Sequence, residues 1–140
     1  MKSVNVLVSL LIVFLSSVSC NGQSTKQEGS KVMGSSKISV YYFHFTRRCA
    51  TCMAVEENAR KAVETLYSDE VKSGDYSFTS LNLDEESTRE IADKLGVGGQ
   101  ALLVVRGEKK IDITAAAWMA AHDADKMKSE IKSGIERVLF

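Results

Sequence analysis

One junction constrains the fold of this chain more than any other feature. Ile38-Ser39-Val40-Tyr41-Tyr42-Phe43-His44-Phe45 is short, aromatic, β-branched and almost continuously apolar, which is the pattern of a strand buried on both faces and therefore central in its sheet. Within a few residues the period changes from two to 3.6. Over residues 50–67, Cys52, Val55, Ala59, Ala62, Val63 and Leu66 fall on one helical face, while Glu56, Glu57, Arg60, Lys61 and Glu64 fall on the other. Glu56 with Arg60 and Glu57 with Lys61 are i,i+4 pairs in the favoured order.

The remaining pattern continues the alternation. Ser73-Gly74-Asp75 reads as a turn, and residues 76–83 alternate strictly, as a second strand does. Residues 84–95 carry Ile91, Ala92 and Leu95 at helical spacing, open on acidic residues that suit a helix N-terminus and stop at Gly96. Residues 101–105 and 109–114 flank Arg106-Gly107-Glu108 and read as a hairpin. Residues 123–139 place Ala124, Met127, Ile131, Ile135 and Val138 on one face of a final helix. The expected fold class is α/β with the order β-α-β-α-β-β-α, a central mixed sheet flanked by helices, over residues 37–140.

The N-terminal part has a different character. Lys2 precedes an apolar run at residues 6–15 that is too short for a bilayer span of roughly 20 residues. A basic start, a short apolar core and small residues before a cut site are the parts of a secretory signal peptide, expected here at residues 1–19. Ser17-Val18-Ser19-Cys20 resembles the lipobox of bacterial lipoproteins, with Ser17 in the place usually held by Leu. That resemblance implies lipid attachment at Cys20 and a domain anchored at the cell envelope, on the periplasmic or outer-membrane side. Residues 20–36 are of the Ser/Gly/Gln kind and read as a flexible tether. Lys and Arg number 18 against 18 Asp and Glu, so there is no cationic surplus of the kind that drives phosphate binding, and nucleic acid is not an expected partner.

Chemistry concentrates at the strand-helix junction, where Cys49-Ala50-Thr51-Cys52 sits. The unpaired N–H groups and dipole of a helix N-terminus favour a thiolate over a thiol. Arg47 and Arg48 add two positive charges as electrostatic support. Cys49 is therefore the expected exposed nucleophile, and Cys52, one turn into the helix on its apolar face, the resolving thiol. Glu56, one turn further, is a possible proton acceptor for Cys52 or a solvated helix-face charge. A closed structural zinc site needs four ligands, and the sequence holds no second C-x-x-C or Cys/His cluster.

With these residues in place, the chain resembles the thioredoxin-fold family over about residues 37–140. The resemblance rests on the C-x-x-C at the start of the first helix, the element order, and Gly96-Val97-Gly98-Gly99-Gln100-Ala101-Leu102-Leu103-Val104-Val105-Arg106-Gly107. The segment from Tyr42 to Cys52 further resembles small thioredoxin-like lipoproteins of Bacteroidetes that carry the ArsF name for their association with arsenic-resistance gene clusters. The family implies thiol-disulfide exchange through a redox-active disulfide, with no other cofactor, and protein thiols, disulfides or a membrane redox donor as partners.

Three departures stand out. Arg48 replaces the family's Trp and Ala50-Thr51 its Gly-Pro; Phe43 holds the place of its buried acid; and Ala101 holds the place of its cis-proline, in a chain with no proline at all. A cis bond before a non-proline residue costs about 3–4 kcal/mol, so a trans Gln100–Ala101 bond is expected, with the loop formed by Gly98, Gly99, Gln100 and Ala101 taking its own path opposite the dithiol. The missing ring implies room beside the sulfurs, and makes a soft metal or arsenite on Cys49 and Cys52 a rival reading; a non-catalytic thioredoxin-like domain that docks a membrane partner is a third. His44 is a possible third ligand, with a packed core residue holding one hydrogen bond as the expected alternative. His122 reads as a helix-N-terminal or surface residue, and Trp118 and Met119 as core residues, with a cover over the site edge as the alternative.

Overall fold

The computed structural model describes residues 37–140. The expected signal peptide, the tether and Cys20 lie outside the described residues. The elements run β1 (Ile38–His44), α1 (Ala50–Leu66), α2 (Ser68–Ser73), β2 (Tyr76–Asn82), α3 (Glu86–Leu95), β3 (Ala101–Arg106), β4 (Lys109–Asp112), α4 (Thr114–Met119) and α5 (Ala124–Leu139). The sheet order is β2-β1-β3-β4. β1 pairs parallel with β2, where Tyr42 meets Ser80, and antiparallel with β3, where Phe43 meets Ala101. With β4 antiparallel to β3, this is a four-stranded mixed sheet of the expected α/β class.

The near-continuous apolar run of β1 has the expected cause: helices cover both faces of the sheet. Val40 and Tyr42 of β1 and Leu102 and Val104 of β3 pack on one side with Val55, Ala59 and Val63 of α1 and Met127, Ile131 and Ile135 of α5. Tyr41 and Phe43, one residue out of step, pack on the other side with Leu103, Val105, and Ala92 and Leu95 of α3. α5 comes so close to the sheet that a Cβ at Gly134 would lie 3.0 Å from Val104 Cγ2 and 3.2 Å from Ile113 Cγ2.

Several boundaries differ from the sequence expectation, each for a local reason. The fourth strand ends at Asp112 rather than residue 114, because the Asp112 carboxylate accepts a hydrogen bond from the Thr114 amide (2.8 Å) and turns the chain. α4 then forms from an alanine-rich stretch of high helix propensity. α2 was not expected; it follows a break at Tyr67, whose φ −131°, ψ 41° is not helical, and ends on left-handed Gly74. α3 starts two residues late, since Asn82 Oδ1 accepts from the Asp84 amide and holds a turn there. Leu66 and Ala124, expected on buried faces, are exposed; both sit at helix ends, beyond the reach of the facing layer.

Candidate functional site

The dithiol is held at the end of β1 by a clasp from the neighbouring loop. Leu83 donates its amide to the His44 carbonyl (2.7 Å), Asn82 Nδ2 donates to Thr46 Oγ1 (2.9 Å), and the Thr46 amide donates to Asp84 Oδ2 (2.8 Å). The hydrogen bond from Thr46 holds the Asp84 carboxyl below its ordinary range. These contacts fix the chain three residues before Cys49. No sequence expectation included them, although Asn82 and Asp84 at a strand end are a readable turn signal.

Cys49 is the N-cap of α1 in extended conformation, and its sulfur accepts from the Cys52 amide at 3.4 Å. Cys49 is exposed and Cys52 buried, both are free thiols, and their sulfurs are 2.7 Å apart. The hydrogen bond from the Cys52 thiol, followed by that from the Cys52 amide, pulls the Cys49 thiol below its ordinary range. The arrangement can therefore present an exposed thiolate with a second sulfur in reach behind it.

The two arginines expected to support that thiolate take separate places. Arg47 is exposed. Arg48 is half-buried and donates to Glu56, which also receives Arg60 at 2.8 Å. Arg60 in turn stacks over the Phe78 ring at 5.0 Å. Burial alone would raise the Glu56 pKa, but the nearby Ser80 hydroxyl and the guanidinium of Arg48 outweigh it and hold the carboxyl below its ordinary range. Ser80 Oγ is itself buried without a hydrogen-bond partner of good geometry, so its help comes through its dipole and the guanidiniums are the firmer contribution. Glu56 is thus a persistent anion between two cations, an environment that weakens it as a proton acceptor.

Beneath the first turn of α1 stands Tyr42. Phe43, which holds the place that the resemblance gives to a buried acid, packs on the α3 side of the sheet. Tyr42 is the β1 residue on the cysteine side, and its hydroxyl donates to the Cys52 carbonyl at 2.8 Å. Burial, with the neighbouring Cys52 sulfur next in weight, pushes its phenol far above the ordinary range. Its ring lies between His44 (centroids 5.6 Å apart) and Trp118 (6.0 Å). The parity of β1 was the available signal: Tyr42 shares a face with Ile38 and Val40, whose partners are the apolar residues of α1.

His44 is a buried core residue whose Nδ1–H donates to the Phe45 carbonyl at 2.9 Å, as expected. His122 is exposed. Trp118 is half-buried against Tyr42, whereas Met119, expected in the core, is 76% exposed because α4 ends there and turns it outward. Among the described residues no cluster of three His, Cys, Asp or Glu side chains converges as a metal site would require.

The loop opposite the dithiol takes the trans path. No cis peptide bond occurs among the described residues, and Ala101 is nearly buried at the start of β3. Neither Gly98 nor Gly99 uses a left-handed φ, and a Cβ at either would meet nothing within 4 Å. Gln100 turns its side chain to the dithiol, with Oε1 3.5 Å from Cys52 Sγ. A cavity of about 260 Å³ is lined by Val97, Gly99, Gln100, Ala101, Lys110 and Asp112 among others, on the far side of Gln100 from the sulfurs: neither Cys49 nor Cys52 lines it, so it is not the room expected beside the dithiol. Gln100 therefore both lines that cavity and touches Cys52.

No family model matches the sequence, and no curated protein matches it. Nine solved chains are similar to it in structure. Thioredoxin f2 of Chlamydomonas reinhardtii is 17% identical, with a TM-score of 0.38, over 66% of this chain and 85% of that one. A thioredoxin of Fasciola hepatica is 14% identical, also with a TM-score of 0.38, over 71% of this chain and 83% of that one.

Proposed function

We propose that this domain is a thiol-disulfide oxidoreductase in which Cys49 attacks and Cys52 resolves. The observation that carries the reading is an exposed cysteine capping α1 whose sulfur is hydrogen-bonded by the thiol and the amide of a buried second cysteine. In the reducing direction the Cys49 thiolate attacks one sulfur of a client disulfide. A Cys49–client disulfide forms and the other client sulfur leaves as thiolate. Cys52 then gives its proton to solvent and attacks the Cys49 sulfur, so a Cys49–Cys52 disulfide forms and the second client sulfur leaves. Two electrons pass to the client, and the oxidising direction is the same path reversed. No cofactor beyond the cysteine pair enters these steps.

The Cys20 lipobox pattern supports a lipid anchor that holds the domain at the cell envelope, where protein disulfides persist. Partners in that setting are client protein thiols or disulfides and a membrane redox donor.

A second reading rests on the same sulfurs: two thiolates offered to a soft cation or to arsenite. The resemblance to the ArsF-named lipoproteins and the proline-free loop support it. The donor set fits in part, supplying two soft ligands and leaving any further ligand to come from outside the pair.

Insulin-disulfide reduction, with an arsenite titration of the reduced protein, separates the two. Exchange predicts precipitation of insulin chains faster than with dithiothreitol alone, lost in Cys49→Ser. No acceleration, together with stoichiometric arsenite binding that needs both cysteines, would replace exchange by the binding reading.

A further inference from the structure

Cys52 has one thiol proton and two acceptors within reach. Cys49 Sγ is 2.7 Å away and Gln100 Oε1 3.5 Å away. The buried position of Cys52 leaves little room for water to compete. Tyr42 is not a rival partner for the sulfur, because its hydroxyl is directed to the Cys52 carbonyl. Glu56 is held by Arg48 and Arg60.

Which acceptor takes the proton depends on the state of Cys49. While Cys49 is a thiolate, a charge-assisted bond to it is the stronger of the two. Once Cys49 is joined to a client, its sulfur is neutral and a poor acceptor, whereas a carboxamide oxygen remains a good one. A hydrogen bond made to the neutral thiol disfavours the thiolate, and only the thiolate can complete the exchange.

We infer that Gln100 sets the lifetime of the mixed disulfide on Cys49 by holding the proton of Cys52 on its carboxamide oxygen. This rests on the exchange reading above. Gln100 acts through Cys52 and is a positioning residue rather than a reacting one. Its effect falls on the second step of exchange and leaves the first step alone. A longer-lived mixed disulfide gives a bulky client time to seat before release.

The test uses the full chain carrying Cys20→Ser, so that only Cys49 and Cys52 react, with one equivalent of the chromogenic disulfide dithiodipyridine. The first thiopyridone released reports attack by Cys49, and the second reports resolution by Cys52. Gln100→Met, which keeps length and loses the acceptor, is expected to speed the second release roughly threefold, in line with the loss of one modest hydrogen bond, and to leave the first unchanged. Gln100→Glu, which keeps an acceptor, is expected to resolve at the parent rate or more slowly. Should Gln100→Met fail to fold, Gln100→Ala replaces it with the same expectation.

The inference is overturned if the second release is unchanged or slower without the acceptor. It is equally overturned if both releases accelerate together, or if the carboxylate variant speeds resolution as much as methionine does. A parent protein that releases only the first equivalent overturns the exchange reading and this inference with it. A parent that releases both, with Gln100→Met unaltered, overturns the inference alone.

Discussion

The hydroxyl of Tyr42 reaches up from the central strand and donates to the main-chain carbonyl of Cys52 at 2.8 Å. The sheet thereby grips the helix turn that carries the resolving sulfur, through an atom that the sulfur's own chemistry does not touch. Tyr42→Phe keeps the ring between His44 and Trp118 and removes only this bond. A urea titration should show a loss of about 1 kcal/mol, whereas Tyr42→Ala, which empties a fully buried aromatic site, should cost about 3–5 kcal/mol.

Nucleophile order follows from the hydrogen bonds to Cys49. Iodoacetamide at mildly acidic pH is expected to label Cys49 much faster than Cys52. Cys52→Ala removes the thiol donor that is the largest cause of the lowered Cys49 value, so the labelling profile of Cys49 should move to higher pH. Arg48→Ala should move it little, because Arg48 is turned to Glu56. An equal displacement in both variants would return the arginine to the role expected from sequence.

The same group gives the reduced protein a pH-dependent stability of known sign. The Cys49 value in the folded state lies below its ordinary one. Its contribution is therefore fully present above the unfolded thiol value, about 8.5, and is lost as pH falls through the lowered folded value. Thermal melts of the reduced protein against its Cys49→Ser variant should diverge across that window, with the cysteine form gaining at the alkaline end.

The clasp before the dithiol should open with acid. Asp84 is held low by the Thr46 amide, so its contribution is present above the unfolded carboxyl value, about 3.9, and fades as pH falls through the lower folded one. Hydrogen exchange at the Thr46 amide should quicken in Asp84→Ala at neutral pH, while amides in the middle of β1 keep their protection.

Close packing of α5 makes a fifth test. Gly134→Val would push a branched side chain into Val104 and Ile113, whose methyl groups already lie 3.0 and 3.2 Å from the position of a first carbon. Overpacking of this kind costs about 1–3 kcal/mol, and a drop in the urea midpoint without a change in slope would report it.

Much of this architecture was legible because period and punctuation agree. The doubly apolar run of β1, the change of period at Ala50, Gly96 after α3 and the Arg106-Gly107-Glu108 turn each name one solution. What stayed hidden depended on facing and on long-range partners. Sequence places Tyr42 and Phe43 on opposite faces of β1 by parity; which of them looks toward Cys52 depends on which face α1 covers. Arg48 beside Cys49 reads as a charge for the thiolate until folding brings Glu56 within its reach. Gln100 was legible as a member of the facing loop, but its contact with Cys52 spans 48 residues of chain. The alanine run of α4 signals a helix, but in sequence the strand pattern before it runs on through Thr114 and hides where the helix begins.

The pairing of β1 has a consequence for how the protein is made. Both of its neighbours in the sheet, β2 and β3, come later in the chain, and Phe43, already opposite Leu81 of β2, finds its second partner only when Ala101 has been synthesised. A nascent domain generally completes itself only after its last long-range pairing is available. Cys49 and Cys52 therefore emerge from the ribosome well before the strand that bears Gln100's neighbour exists. The hydrogen bonds that Cys52 gives to Cys49 need only the first turn of α1, whereas the contact of Cys52 with Gln100 waits for the closing third of the sequence.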